Sequence, residues 1–203
     1  MVPVPDASNA SEVQTAFLTA PLDDKEREAL RGAIEEVPGF PIETVLFRDI
    51  SGMMMSHAHR ATIVKTIKEH YADKRLTKVL GIESRGFIFG ILIAEELDAG
   101  FVMLRKKGKL PGDLYACTYD LEYGTNQTME IQKRHLDADD VVLIHDDILA
   151  TGGTLGAAID LCRQAGIRPE NIYVNTLVQL DSLNGDQKLK GLAAELFTLL
   201  HIS

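Results

Sequence analysis

The run from Val141 to Thr154 reads Val-Val-Leu-Ile-His-Asp-Asp-Ile-Leu-Ala-Thr-Gly-Gly-Thr. It joins an apolar strand to an acidic pair and then to a glycine-rich helix start. A carboxylate accepts two hydrogen bonds at once and suits a sugar diol, so Asp146 and Asp147 are candidate ribose ligands. Neighbouring residues of a regular strand face opposite ways. If both aspartates serve one ligand, the strand is expected to be turning already at that point. Gly152 and Gly153 let the backbone approach a phosphate with no Cβ in the way. Successive N–H groups at a helix start form an anion-binding concavity; Ala150 opens this one, and Thr151 and Thr154 add hydroxyl donors. The run lacks the glycine-lysine pair of a P-loop and the glycine spacing of a dinucleotide fingerprint.

Three other segments carry residues able to do chemistry. Gly81-Ile82-Glu83-Ser84-Arg85-Gly86 also follows a strand and opens a helix, and its N–H groups with Arg85 suit a second anion. Arg105-Lys106-Lys107-Gly108-Lys109 places four cations in five residues of an acidic chain, a feature that reads as a solvated basic loop or as a neutraliser of pyrophosphate. Leu121-Glu122-Tyr123-Gly124 reads by itself as a surface turn.

The elements needed to position these residues can be read from periodicity. Helices are expected over Asp24–Glu36, His57–Ala72, Gly86–Leu97 and Gly152–Ala165. Strands are expected over Lys78–Ile82, Phe101–Leu104, Val141–Ile144 and Ile172–Val178. Tyr115–Leu121 and Thr128–Gln132 are expected to pair as a hairpin around Glu122. Leu192–Leu200 is too short and too uniformly apolar to assign. Short apolar strands alternating with helices imply an α/β fold with a mainly parallel central sheet flanked by helices. Ligands of such sheets bind beyond the carboxyl ends of the strands, which places chemistry just after Ile82, Leu104 and His145. Residues 1–22 read as an N-terminal arm or an added short helix, and residues 23–203 as a single catalytic domain.

The Val141–Thr154 run resembles the phosphoribosyl-pyrophosphate (PRPP) signature of the type I phosphoribosyltransferases. The resemblance implies their fold, with a hairpin flap and a small N-terminal hood. It gives the ribose hydroxyls to Asp146 and Asp147 and the 5-phosphate to the loop from Ala150 to Thr154. His145 stands where the family is usually aliphatic, and its side chain reads as a partner near the sheet end. The Glu83-Ser84-Arg85 loop is similar to the pyrophosphate loop of the adenine enzymes of that family, which implies a cis peptide at Glu83-Ser84. Arg105-Lys106-Lys107-Gly108-Lys109-Leu110-Pro111-Gly112 is similar to another of their markers. It implies that Lys109 reaches the pyrophosphate and that Arg105 does so across a dimer interface. By the same resemblance Glu122 lies in a mobile flap and approaches N7 of the base. Phe40-Pro41 and Leu46-Phe47-Arg48-Asp49-Ile50 match the adenine-reading element, although Thr44 stands where glycine is frequent. Main-chain groups near Leu46 and Arg48 then read the adenine edge, and Phe47 stacks on the ring.

The implied activity is pentosyl transfer from PRPP to adenine, giving AMP and pyrophosphate in purine salvage. Mg²⁺ is the implied cofactor, held mainly through substrate and water with no direct protein ligand, and the implied assembly is a homodimer. The alternatives are a phosphoribosyltransferase for xanthine, hypoxanthine or guanine, and a PRPP-sensing regulator of the same fold.

Composition bounds these readings. The chain has 203 residues, 45% of them hydrophobic, enough for one well-packed domain. The net charge of −9 argues against a nucleic-acid partner, which needs a broad basic surface. Cys117 and Cys162 are isolated and read as reduced thiols of a cytoplasmic protein. No apolar run is long enough to cross a bilayer, and no secretory signal is evident.

Overall fold

A computed structural model describes residues 13–119 and 126–203. Its main sheet holds β1 (Ala16–Thr19), β4 (Lys78–Ile82), β5 (Gly100–Lys106), β6 (Leu114–Tyr119), β7 (Gln127–Gln132), β8 (Val142–Leu149), β9 (Ile172–Leu180) and β10 (Glu195–Ile202). The spatial order is β1-β10-β9-β8-β4-β5-β7-β6. Pairing is parallel from β1 through to β5 and antiparallel only where β7 meets β5 and β6. A separate ribbon of β2 (Glu35–Pro38) and β3 (Leu46–Asp49) forms the expected hood. The helices are α1 (Asp24–Gly32), α2 (Ser51–Met55), α3 (His57–Tyr71), α4 (Gly86–Glu96), α5 (Gly153–Gln164) and α6 (Gly185–Leu189). No helix among the described residues is long and apolar enough to cross a membrane.

Each face of the sheet has its own core. Leu155, Ala158, Ile159 and Cys162 of α5 pack with Leu80, Ile82, Val142 and Ile144 on one face. Ile63, Ile67 and Tyr71 of α3 and Phe89 and Ile93 of α4 pack with Val79, Leu143 and Phe197 on the other. This alternation explains why β8, covered on both sides, reads as an unbroken apolar run.

The helix expected over Asp24–Glu36 starts where its acids suggest. Asp23 accepts from the Glu26 N–H at 2.7 Å, and the Glu26 carboxylate accepts from the Asp23 N–H at 3.2 Å, a reciprocal cap. It ends four residues early, at Gly32, because Glu35–Pro38 pairs antiparallel with Leu46–Asp49. Ala33 and Ile34 still pack on the core, so the apolar spacing continued after the helix had stopped. The arm expected over residues 1–22 is described from residue 13. Its Ala16–Thr19 stretch is an edge strand parallel to β10, not a short helix. Leu192–Leu200, which the sequence leaves unassigned, belongs largely to β10, between β1 and β9.

His145 of β8 is fully buried. Its Nδ1 lies 2.8 Å from Asn175 Oδ1 on β9, and Asn175 Nδ2 donates to the Phe197 carbonyl of β10 at 3.0 Å. With the amide so oriented, Nδ1 carries the proton and the imidazole is neutral. The departure at residue 145 therefore ties three adjacent strands together, while its Nε2 has no hydrogen-bond partner among the described residues. Burial pushes its pKa down from 6.5 to about 4, against the pull of Asn175. Between those values the unfolded chain takes up a proton that the native chain refuses, so His145 costs stability as pH falls from 6.5 to about 4. The loss should reach on the order of 3 kcal/mol. In urea titrations His145→Leu should be less stable near neutrality but flatter than wild type across that window; an unchanged slope would refute the assignment.

Candidate active site

β4 and β8 run side by side only as far as the pair Gly81↔His145. β4 then ends at Ile82, the chain passes through a cis peptide at Glu83-Ser84, and α4 begins at Gly86. A Cβ on residue 86 would come within 2.6 Å of the His145 carbonyl, so only glycine lets the helix start this close to β8. Beyond His145, β8 continues to Leu149 with β9 on one side and an open gap on the other. Asp146 and Asp147 remain within the strand, which corrects the expectation that it is already turning. Both still line one cleft of about 480 Å³, because the missing neighbour leaves room for both side chains.

That cleft is also lined by Glu83, Ser84, Arg85, Arg105 and Thr154. Arg85 Nε lies 2.9 Å from Asp147 Oδ2. The Asp146 carboxylate folds back to accept from the Asp147 N–H at 2.9 Å. Desolvation, then the Asp147 charge, holds the Asp146 carboxyl well above the usual range. Desolvation also raises Asp147, against the pull of Arg85. A crowded acidic pair of this kind is stabilised by hydroxyl donors or by a cation. Among the described residues no three His, Cys, Asp or Glu side chains converge as a metal cage.

A second cavity, about 350 Å³, is lined by Thr44, Leu46, Phe47, Arg48, Arg85, Ala150, Leu180, Ser182, Leu183 and Ile202. All three expected base-reading residues are among them. Phe47 packs edge-on against Phe40 with centroids 5.2 Å apart, and the Arg85 guanidinium sits 5.2 Å over its ring. β3 has a partner strand on one side only, so alternate N–H and C=O groups turn away from β2. Arg85 lines both cavities and is the group they share.

The basic loop is held from beneath by carboxylates. Glu83 accepts from the Lys106 N–H at 2.9 Å and pairs with Arg105 at 3.3 Å, which keeps its carboxyl below the usual range, the Lys106 N–H contributing most. The buried Glu130 accepts from the Gly108 N–H at 2.8 Å. Lys109 is exposed on this turn and lines neither cavity. Glu122 lies outside the described residues, between β6 and β7. Ala150, Thr151 and Gly152 form the turn from β8 into α5, which opens at Gly153, with Gly152 at φ 79°.

The sequence reading missed the segment after β9. A turn at Asp181–Leu183 follows that strand, and Ser182 and Leu183 line the second cavity. The rule that ligands sit beyond strand carboxyl ends, applied to a fourth strand, points there. Gly185 closes the segment against the turn after β8: a Cβ at residue 185 would fall on the Ala150 carbonyl and 2.8 Å from the Gly152 nitrogen. Gly185→Ala should therefore displace the loop and weaken calorimetric PRPP affinity on the order of tenfold. Gly156→Ala, with nothing within 4 Å of the new methyl, is the control and should bind as wild type.

The chain matches the phosphoribosyl transferase domain model over residues 54–182. It is 46% identical over 159 residues to an adenine phosphoribosyltransferase of Bacteroides thetaiotaomicron, spanning 78% of this chain and 89% of the relative. The crystal structure of the Giardia lamblia enzyme with 9-deazaadenine aligns with TM-score 0.83 at 47% identity, covering 86% of this chain and 96% of that one. The Trypanosoma brucei adenine enzyme, in complex with AMP, pyrophosphate and ribose-5-phosphate, aligns with TM-score 0.83 at 25% identity over 94% and 85% of the two chains. With the signature run, the hood and the cis loop in these positions, the chain belongs to the adenine phosphoribosyltransferase family.

Proposed function

We propose that the larger cleft holds PRPP, that the smaller cavity holds adenine, and that the protein transfers the 5-phosphoribosyl group to adenine in purine salvage, releasing pyrophosphate and forming AMP. The observation that carries this reading is Arg85, which lines both cavities, pairs with Asp147 and covers the Phe47 ring. A transferase must bring a leaving group and an acceptor to opposite sides of one carbon, and two adjoining cavities with a shared cation suit that task.

In this reading the ribose hydroxyls meet Asp146 and Asp147, and the 5-phosphate meets the loop from Ala150 to Thr154. Cleavage of the C1–O bond makes the ribose ring cation-like, as in glycoside cleavage. Stabilising the departing negative charge is then the main catalytic task. Arg85, the N–H groups at Glu83 and Ser84, and the basic loop with Arg105 and Lys109 supply positive potential. Adenine N9 attacks from the opposite face, with the ring stacked on Phe47 and its edge met by main-chain groups near Leu46 and Arg48. Mg²⁺ fits this site through PRPP oxygens and water, since among the described residues the only acids in the cleft free of the basic loop are Asp146 and Asp147, and magnesium retains waters. When bound it supplies further charge neutralisation on the pyrophosphate.

A homodimer is supported by α4, whose Ile88, Ile91 and Leu92 are exposed, as is Met103 of β5; a chain of this net charge leaves such an apolar face for another subunit. Arg105 lines the cleft of its own chain and pairs there with Glu83, which favours a role toward pyrophosphate in that cleft over the expected one across the interface. We assign the protein to the cytoplasm, where its two unpaired cysteines stay reduced.

Purified protein with PRPP, Mg²⁺ and a panel of bases should form AMP from adenine fastest. Faster use of hypoxanthine, xanthine or orotate overturns the base assignment. Glu122→Ala should lower turnover more than it weakens PRPP binding, as single-turnover kinetics beside calorimetry will report; equal losses would remove the residue from the chemical step.

A further inference from the structure

The turn at Asp181–Leu183 carries Ser182 and Leu183 into the wall of the base cavity. Its far end is fixed by backbone contact, since Asn184 adopts φ 50° and Gly185 abuts the phosphate loop. Its near end is fixed by side chains from distant parts of the chain. Asp181 Oδ1 lies 2.8 Å from His201 Nδ1 on β10, and His201 Nε2 lies 2.9 Å from Thr19 Oγ1 on β1. The His201 carbonyl accepts from Arg31 of α1 at 2.9 Å. His201 is followed at once by Ile202 and Ser203, which line the same cavity as Ser182 and Leu183.

Nδ1–H of His201 donates to the Asp181 carboxylate, and Nε2 meets the Thr19 hydroxyl, which can serve as donor or acceptor. The arrangement is thus a tether between β1, β10 and the turn after β9. The order hydroxyl, imidazole, carboxylate also occurs in nucleophilic catalysis. Here the cavity beside it is about 90 Å³, against the roughly 300 Å³ or more of an ordinary ligand site.

A contribution to global stability is a poor account of the tether. The His201 and Asp181 side chains are 37% and 42% exposed, and pairs this open add little to folding. What they restrict is the position of one short turn. We propose that His201 is a positioning residue for the base: through Asp181 it holds Ser182 and Leu183 in the cavity wall and so sets affinity for the purine without touching it. This rests on the reading of that cavity as the adenine site.

Steady-state kinetics with each substrate varied in turn test the proposal. His201→Ala and Asp181→Ala should each raise KM for adenine by about two- to fivefold, the range open to a half-exposed pair. The kcat and the KM for PRPP should stay near wild type, because Gly185 still fixes the far end of the turn. Asp181→Asn, whose amide oxygen still accepts from Nδ1, should restore the wild-type KM. Thr19→Val, which keeps the side-chain volume but removes the second partner, should shift adenine KM in the same direction by less. The double alanine variant should be no worse than either single one, since both remove the same bond. An unmoved adenine KM in both alanine variants, or a parallel rise for PRPP together with a lower Tm, overturns the inference while leaving the function intact. A wild-type protein that forms no nucleotide from any purine overturns the functional reading, and this inference with it.

Discussion

The site exists because β4 stops before β8 does. Up to the pair Gly81↔His145 the two strands share an ordinary parallel ladder. Past it, β4 gives way to the Glu83-Ser84 turn and α4, while β8 runs on to Leu149 along β9. The gap so opened lies inside the sheet, and it exposes both faces of β8 to one volume. That is why adjacent aspartates, which a continuous sheet would send to opposite layers, can serve one ligand. The arrangement depends on Gly86, because α4 must begin almost in contact with the His145 carbonyl. The His145–Asn175–Phe197 link across β8, β9 and β10 braces the strand where it loses its neighbour.

Electrostatics follow from the same geometry. The chain carries a net charge of −9, yet its larger cleft is lined by Arg85, Arg105 and Lys106. The two arginines are held by carboxylates, Arg85 by Asp147 and Arg105 by Glu83, with Glu130 anchoring the Gly108 amide of the same loop. Each arginine is therefore positioned and partly neutralised by a carboxylate. Exchanging a carboxylate for a phosphate oxygen costs less than drawing a freely hydrated arginine into the cleft. Arg85 adds a link between the cavities, since the ring it covers is the one expected to carry the base.

Much of this was legible in the sequence because it is local. The strand-to-loop runs at Lys78–Arg85 and Val141–Thr154, the helix over His57–Tyr71 and the hairpin strands all follow from short-range spacing and turn chemistry. The misreadings share a cause. Glu35 and Glu36 looked helical because Ala33 and Ile34 kept facing the core after the helix ended. Leu192–Leu200 could not be assigned because the strand it enters, Glu195–Ile202, is buried on both faces and loses its alternation. Ala16–Thr19 becomes a strand only because β10 offers it an edge.

The sequence alone determined the chemical inventory: an acidic pair and phosphate loop on one strand end, a second anion loop on another, a basic loop on a third, and an aromatic hood. These depend on residue types within a few positions of one another, which a linear reading can weigh. Only the tertiary structure decided how they meet. It set the strand order that leaves β8 unaccompanied, and it turned Glu83 toward the basic loop. It made Arg85 common to two cavities, seated Gly185 on the 150–152 turn and brought Thr19, Asp181 and His201 together behind the smaller cavity. Such contacts join residues up to 182 positions apart; their formation depends on the packing of the whole sheet, which no local spacing records.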